Sequence, residues 1–402
     1  TTEKSDTGMK KYFHLMTALA LAVSCTPKEP MDALAGRVFS VAKEQCMQME
    51  ERLTDTTMPR SIGKDGEFVS SNIKWWCSGF YPGTLWYIYE YTGDEEIRRL
   101  ATASTLKLEP LQYKAKDHDL GFQMNCSYGN AYRLTGEQRF LGPIYNSAMA
   151  LAERFSPVTG TIRSWDFVKK GQDWKYPVII DNMMNLEHLL NAAALFKADT
   201  LKSIAVTHAN TTICNHFRPD HTCFHLVDYD PEDGSVRHRE TVQGYADSSA
   251  WARGQAWALY GYTMMFRLTD QEHYLIQAEN IADMLAERLP SDGIPYWDFN
   301  APDIPDAPRD ASAAAVMASA FIDLSRLTTK DCDKKRYLGI AERQIRTLAS
   351  EEYLASPGEN CNFILKHSVG NLPGDSEVDV PLTYADYYFL EAIIKYITPT
   401  DN

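Results

Sequence analysis

The sequence predicts an all-α fold, an (α/α)6 barrel of six helical hairpins in two concentric rings, and three observations carry that prediction. The first is a recurring turn. Tyr91-Thr92-Gly93-Asp94, Leu134-Thr135-Gly136-Glu137, Leu268-Thr269-Asp270 and Leu327-Thr328-Thr329-Lys330 each end an apolar stretch and open a charged one, with Phe196-Lys197-Ala198-Asp199 a weaker copy. Such repetition is the signature of stacked helical hairpins. The second is spacing: the apolar members begin near Lys74, Asp119, Asp181, Asp247, Asp310 and Thr383, at intervals of roughly 45 to 75 residues, longer than most solenoid repeats. The third is their partners. Glu95 to Lys107 and Asp331 to Leu348 carry charge on one face, as a solvent-facing helix does. An open solenoid would expose one flank and need polar caps, so closure into a ring is the better arrangement.

Taken in order, the chain starts with an address. Met9-Lys10-Lys11 is basic, Leu15 to Val23 is apolar, and Ala22-Val23-Ser24-Cys25 ends the run with small residues before a cysteine. This resembles a bacterial lipoprotein signal with Cys25 as the lipidated residue, although Ala22 stands where leucine is more usual. The run is too short to span a bilayer as a stable helix. Residues 1–25 are therefore read as an extension plus signal peptide, and 26–402 as a single catalytic domain, with no Pro/Ser/Gly-rich linker inside. The expected location is the periplasm, with the membrane touched only through a lipid anchor. A net charge of −14 argues against nucleic acid or an anionic membrane surface as a general partner. An anionic ligand would need its own local cation. Beyond Cys25 the remaining cysteines are odd in number and irregularly spaced, which favours isolated buried thiols over a disulfide framework.

Short extended pieces precede several inner helices: Gly160 to Trp165, Phe224 to Val227, Gly293 to Trp297 and Phe363 to His367. Alternation makes Trp165, His225, Trp297 and His367 candidate walls of a cleft. The polar starts of the inner helices would gather at one end of the barrel, and that end is the expected site.

The stretch Gln243 to Trp257 carries more chemistry than a helix start needs. Asp247 or Ser248 suits an N-cap. Arg253 and Trp257, four apart, share a face, with Gly254, Ala256 and Gly261 keeping the backbone accessible. A cation beside an indole near a helix N-terminus suits a ringed anion. The competing reading makes Trp251 and Trp257 core aromatics and pairs Arg253 with a structural carboxylate.

Asp119 and Asp181 pose a similar choice. Each stands at a helix start, where capping is the commonest work of an aspartate. Asp181, however, is flanked by Ile179, Ile180, Met183 and Met184. Desolvation and repulsion from Asp119 would raise its pKa, while the helix dipole and Arg253 would lower it. A carboxyl kept protonated in an apolar cleft can donate its proton. The Cys214 to His225 segment offers His216, His221, Cys223 and His225, but its spacing matches no usual zinc pattern, and no metal or organic cofactor is expected. Neither a phosphate loop nor a Gly-x-Ser-x-Gly elbow is present. What remains is carboxylate acid/base work on a sugar-sized ligand.

His118-Asp119-Leu120-Gly121-Phe122, Ile180 to Asn185, and Gln243 to Tyr245 with Ala250 to Trp257 resemble the motifs of the unsaturated glucuronyl hydrolases, glycoside hydrolase family 88. The resemblance runs from about Lys74 to Tyr396 and takes in Pro308 to Ser312 and the turn His367-Ser368-Val369-Gly370. It implies the same six-hairpin barrel and an unusual reaction: hydration of the C4=C5 double bond that polysaccharide lyases leave on a terminal uronic acid. By similarity Asp181 is the acid/base, and Asp119 helps position the sugar and tune Asp181. Gln243, Arg253, Trp251 and Trp257 match substrate-contacting positions, and His225 matches a histidine near the uronate. His118 and Ser368, within the matching stretches, complete the substrate-binding set. The separation rule for ordinary glycosidase carboxylates does not apply to this chemistry. The implied substrates are unsaturated glycosaminoglycan disaccharides or oligosaccharides. Lys366, His367, Ser368 and Asn371 occupy the loop in which relatives handle sulfate, without a clear match. Three other readings stand beside this one: a family 105 unsaturated rhamnogalacturonyl hydrolase acting on pectin fragments, a non-catalytic glycan-binding lipoprotein, and a helical scaffold with a protein-binding groove.

Overall fold

A computed structural model describes residues 1–2, 28–168 and 171–398. The lipoprotein-type signal and Cys25 lie outside the described residues. The outer helices are α1 (Met31–Met49), α3 (Glu95–Leu106), α6 (Leu141–Ala152), α8 (Asp199–His216), α10 (Glu272–Arg288) and α12 (Asp331–Leu348). They alternate with inner ones: α2 (Phe80–Thr92), α4 (Leu120–Met124) continued through a π turn at Asn125–Gly129 into α5 (Asn130–Thr135), α7 (Leu186–Phe196), α9 (Ala252–Thr269), α11 (Ala311–Leu327) and α13 (Thr383–Ile397).

The two rings differ in what they bury. In α11 every residue from Ala311 to Ser325 is buried, whereas α12 buries only Tyr337, Ile340, Ala341, Gln344, Ile345 and Leu348. Three- and four-residue spacing of that kind is one stripe of a surface helix. The ring closes because α13, last in the chain, packs on both α11 and α2, and α1 packs on α2 and α13. The chain is thus an (α/α)6 barrel.

The recurring turns have a common cause. Gly93 and Gly136 end α2 and α5 at φ 65° and 66°, a conformation without penalty only for glycine. Lys197 and Asp270 end α7 and α9 in the same left-handed region, at φ 56° and 57°.

Helix starts differ more from expectation. The starts expected near Asp119, Asp310 and Thr383 fall within one residue of the observed ones, but Lys74 precedes α2 by six residues and Asp247 precedes α9 by five. Asp247 is drawn away from capping because it accepts the Thr241 amide at 2.8 Å. Its loop is held by buried Asp298, which accepts the Tyr245 amide at 2.9 Å and Ser249 Oγ–H at 2.6 Å. Asp181 lies in a 3₁₀ turn, Ile180–Asn185, ahead of α7.

Among the described residues, strands occur only as short pieces between an outer helix and the next inner one, so they crowd one end of the barrel. They are β1 (Thr57–Ile62) with β2 (Phe68–Asn72), β3 (Phe155–Ser156) with β4 (Thr161–Ile162), the sheet of β5 (Pro177–Ile179), β6 (Leu226–Tyr229) and β7 (Val236–Glu240), and β8 (Ser368–Asn371) with β9 (Ser376–Val380). Two of the anticipated extended pieces contain β4 and the first half of β6; the other two reduce to the isolated bridges Tyr296–Arg309 and Leu354–Leu365. Among the described cysteines all are free thiols. Cys46, Cys77, Cys126 and Cys223 are buried as expected, but Cys214 and Cys332 are exposed.

Candidate active site

Asp119, Asp181 and Asp310 have the same local setting, an aspartate at an inner helix start, and three different surroundings. Asp310 is the cap: its Oδ1 accepts the Ser312 amide at 3.0 Å and Ser312 Oγ–H at 2.6 Å. Asp119 stands at the N-cap of α4 and Asp181 in the first 3₁₀ turn, yet neither side chain caps its helix. Capping therefore does not account for them.

Asp181 is held by the register of β5 on β6, in which Ile179 pairs with Leu226, and by the Ile180 amide, which donates to His225 O at 2.9 Å. Its Oδ2 is buried without a hydrogen-bond partner among the described residues. His225 Nε2 lies 3.8 Å from that oxygen. Burial pushes the Asp181 carboxyl up to about 7; the Arg253 charge, the residue's own amide and the Trp257 indole work in the other direction. Asp119 is held well above the ordinary carboxylate range by burial and then by the Asp117 and Asp181 charges, against Lys114 and Arg154. The site thus holds two carboxyls whose burial opposes ionisation.

His225 has a fixed tautomer. Its Nδ1 accepts the amides of Val242 at 3.0 Å and Gln243 at 3.3 Å. A nitrogen that accepts cannot carry the proton, so the proton sits on Nε2, facing Asp181. The ring packs on Trp251 at 4.5 Å.

Arg253 is braced rather than free. Its guanidinium donates to Asp310 Oδ2 at 3.1 Å, to Gly370 O at 2.7 Å and to Val369 O. It lies over the rings of Trp251 at 4.6 Å and Tyr384 at 5.3 Å. Of the two readings of Arg253, the structure shows the pairing with a carboxylate, that of Asp310. The pair nevertheless acts on the site, because Arg253 lowers the Asp181 pKa.

Trp257 is wholly buried between Phe122, at 5.6 Å, and Tyr388, at 5.5 Å. Gln243 is half-buried and donates from Nε2 to Gly370 O at 2.9 Å. Ser368 is buried in β8, its Oγ without a partner among the described residues. His118 is fully buried, Nε2 lying 3.3 Å from Asp119 Oδ1; burial, aided by Arg154, pulls its pKa down to about 3, so it is neutral. His118, Trp257, Arg253 and Ser368 are thus buried behind the two acids.

Of the four expected walls, His225 adjoins Asp181 and half-buried Trp165 stacks with Phe167 at 5.3 Å. Trp297 is buried, and His367 turns to Asp379, Nδ1 to Oδ1 at 2.7 Å. His216 donates Nε2–H to Val178 O at 3.1 Å. The sequence reading placed Asp310 at a helix start but missed its pairing with Arg253, 57 positions away, and it missed Tyr384. The latter, second residue of α13, has a buried hydroxyl that lacks a partner among the described residues. Tyr384-Ala385-Asp386-Tyr387-Tyr388 reads as core, and no local signal separates its first tyrosine from the others.

A cavity of about 490 Å³ opens at the opposite end of the barrel, among Tyr87, Arg133, Glu187, Tyr260, Arg267 and Glu391. Its charges are already paired, Arg133 to Glu90 and Arg267 to Glu187, each at 2.6 Å. The unsatisfied acids are at the strand-bearing end.

Comparison with known proteins gives the same reading. An unsaturated glucuronyl hydrolase from Formosa agariphila is 46% identical over 339 residues, 83% of each chain. An unsaturated chondroitin disaccharide hydrolase from Streptococcus agalactiae is 32% identical over 80% of this chain and 81% of that one. The crystal structure of an unsaturated glucuronyl hydrolase specific for heparin superposes with a TM-score of 0.87 at 47% identity, covering 91% of this chain and 97% of that one. Residues 46–394, which span the inner ring and both unsatisfied acids, match the pattern of Glycosyl Hydrolase Family 88, and the chain belongs to that family.

Proposed function

We propose that the protein releases the terminal unsaturated uronic acid from lyase-generated glycosaminoglycan oligosaccharides by hydrating its C4=C5 double bond. It is an unsaturated glucuronyl hydrolase, a glycosidase. One observation carries the mechanism: Asp181, buried and uncapped, is poised near neutral pH beside an imidazole whose N–H faces it. A general acid works best with a pKa near the operating pH. Protonated Asp181 delivers its proton to C4. Positive charge then develops at C5 and the ring oxygen, and the ionised Asp181 left behind stabilises it from a water-poor wall. Water adds at C5, returning a proton to Asp181. The resulting hemiketal opens and expels the aglycone. Asp119, whose ionisation burial and the neighbouring acids oppose, hydrogen-bonds the sugar.

Gln243 and Trp251 form the wall that receives the uronate, with Arg253, Trp257, Ser368 and His118 behind it. The heparin-type disaccharide is the first substrate to try, because the relative described as specific for heparin is 47% identical, against 32% for the chondroitin-directed one. The family match also favours this chemistry over the pectin-directed alternative. Loss of the ultraviolet absorbance of the conjugated uronate, followed on unsaturated heparin, chondroitin and rhamnogalacturonan disaccharides, tests the proposal. Decay on a glycosaminoglycan fragment that is abolished in Asp181→Asn supports it; decay retained in that variant removes Asp181 from its role.

Residues 26–402 are proposed as one catalytic domain, a reading supported by the packing of α1 on α13. Export with a lipid anchor at Cys25 is proposed from the basic-apolar-small wording of Met9 to Cys25. Release of Cys25→Ala from the membrane fraction would support that anchor, and unchanged fractionation would remove it.

A further inference from the structure

The geometry points to Ser164 as a positioning residue that aligns the Asp119 and Asp181 carboxyls with one another, a role that rests on the reading of those two acids above. Ser164 is fully buried. Its amide donates to Pro177 O at 2.9 Å and its carbonyl accepts the His118 amide at 3.1 Å. Its Oγ accepts the Ile179 amide at 3.0 Å and lies 3.4 Å from His118 Nδ1. His118 immediately precedes Asp119, and Ile179 stands two residues before Asp181. One residue therefore ties down the backbone entering each acid.

The hydroxyl also selects a tautomer. Ser164 Oγ already accepts from Ile179, and its single proton is directed at His118 Nδ1. The imidazole proton then sits on Nε2, the nitrogen that lies 3.3 Å from Asp119 Oδ1 and on the side of Asn182. The opposite tautomer would set a nitrogen lone pair against that oxygen and leave the serine proton without an acceptor. Asp117, Lys114, Arg154 and Asp181 are the charged groups that also act on Asp119. His225 receives the same treatment from the Val242 and Gln243 amides, so each acid stands beside a neutral imidazole whose N–H is set from behind.

Two measurements test this. The first is ¹⁵N-histidine NMR of the wild-type protein, with the His118 signals assigned by their loss in His118→Gln. A proton on Nε2 is expected; a proton on Nδ1 overturns the inference. The second is the kinetics of Ser164→Ala on an unsaturated disaccharide, with Ser164→Thr as the variant that keeps the hydroxyl. Misplacing the reacting groups should lower kcat about 10- to 100-fold, with KM near wild type and the pH profile displaced, and Ser164→Thr should recover part of the loss. Folded Ser164→Ala with wild-type kcat and pH profile overturns the role. If Ser164→Ala does not fold, the wild-type spectrum decides. If the wild-type protein consumes no unsaturated uronide, the hydrolase reading fails, and the spectrum still decides the positioning of His118.

Discussion

Replacing Asp181 by Asn should stabilise the protein while abolishing turnover, and the gain should grow with pH. Burial carries the carboxyl from 3.8 up to about 7, and its side chain is only 15% exposed. At 1.36 kcal/mol per pH unit that difference corresponds to ~4 kcal/mol against the ionised form. Water admitted at the exposed edge screens part of it, leaving about 2–4 kcal/mol. The sign follows from proton linkage. Below about pH 4 the carboxyl is protonated in both folded and unfolded chains and contributes nothing to the pH dependence. Between pH 4 and 7 the unfolded chain ionises while the folded one retains its proton, so stability falls as pH rises. Above about 7 the whole penalty is present. Asn carries no such penalty. It also removes the Asp181 charge that helps hold Asp119 protonated, which acts in the same direction. Urea unfolding of both proteins at pH 5, 6, 7 and 8 should show the gap opening toward the upper end and then levelling. A gap independent of pH, or a variant less stable than wild type at pH 8, would refute the reasoning.

The wild-type rate should fall as pH rises through about 7, because the acid must hold its proton, and Trp257→Phe should move that limb to higher pH by removing the indole that favours the ionised form. An unshifted limb in a folded Trp257→Phe variant would detach the indole from Asp181. Asp310→Asn should cost about 3–5 kcal/mol in thermal or urea unfolding, since it leaves Arg253 buried without its counter-charge. The same variant should move the Asp181 limb to lower pH, as the unneutralised guanidinium favours ionisation. A limb unmoved or shifted upward would show that Arg253 does not act on Asp181.

The barrel was legible because its evidence is local and repeated: left-handed turn residues at Gly93, Gly136 and Asp270, and charge on alternate helices. The inner helices were legible only as apolar stretches. When a helix such as α11 is buried on all sides, periodicity no longer marks where it starts, and tertiary bonds decide, as Asp298 does for the loop before α9. The short strand pairs are set by contacts between distant segments, so β1–β2 and β8–β9 left little trace. Asp119, Asp181 and Asp310 show the limit most directly. Each has the sequence of a helix cap, and only side-chain direction separates the one that caps from the two that do not. Arg253 is a parallel case, since its partners stand 57, 116 and 117 positions away.

That bracing changes what Arg253 can do. A flexible arginine would swing toward a carboxylate ligand and pay side-chain entropy as it did so. A guanidinium clamped by Asp310 and two β8 carbonyls keeps one position whether or not a ligand is present, and its field at Asp181 is constant. The Asp181 pKa is therefore a difference between two opposed effects, burial raising it and a fixed, partly neutralised cation lowering it. If Asp310 were absent the cation would win, and the acid would lose its proton at the pH where it must give it to C4. With a cation absent, burial would hold the proton too tightly to surrender. The ion pair thus serves as an attenuator of positive charge, preorganised like the donors of an oxyanion site but directed at the acid. On this argument Asp310, which no motif singles out as catalytic, controls the working pH of the enzyme through Arg253.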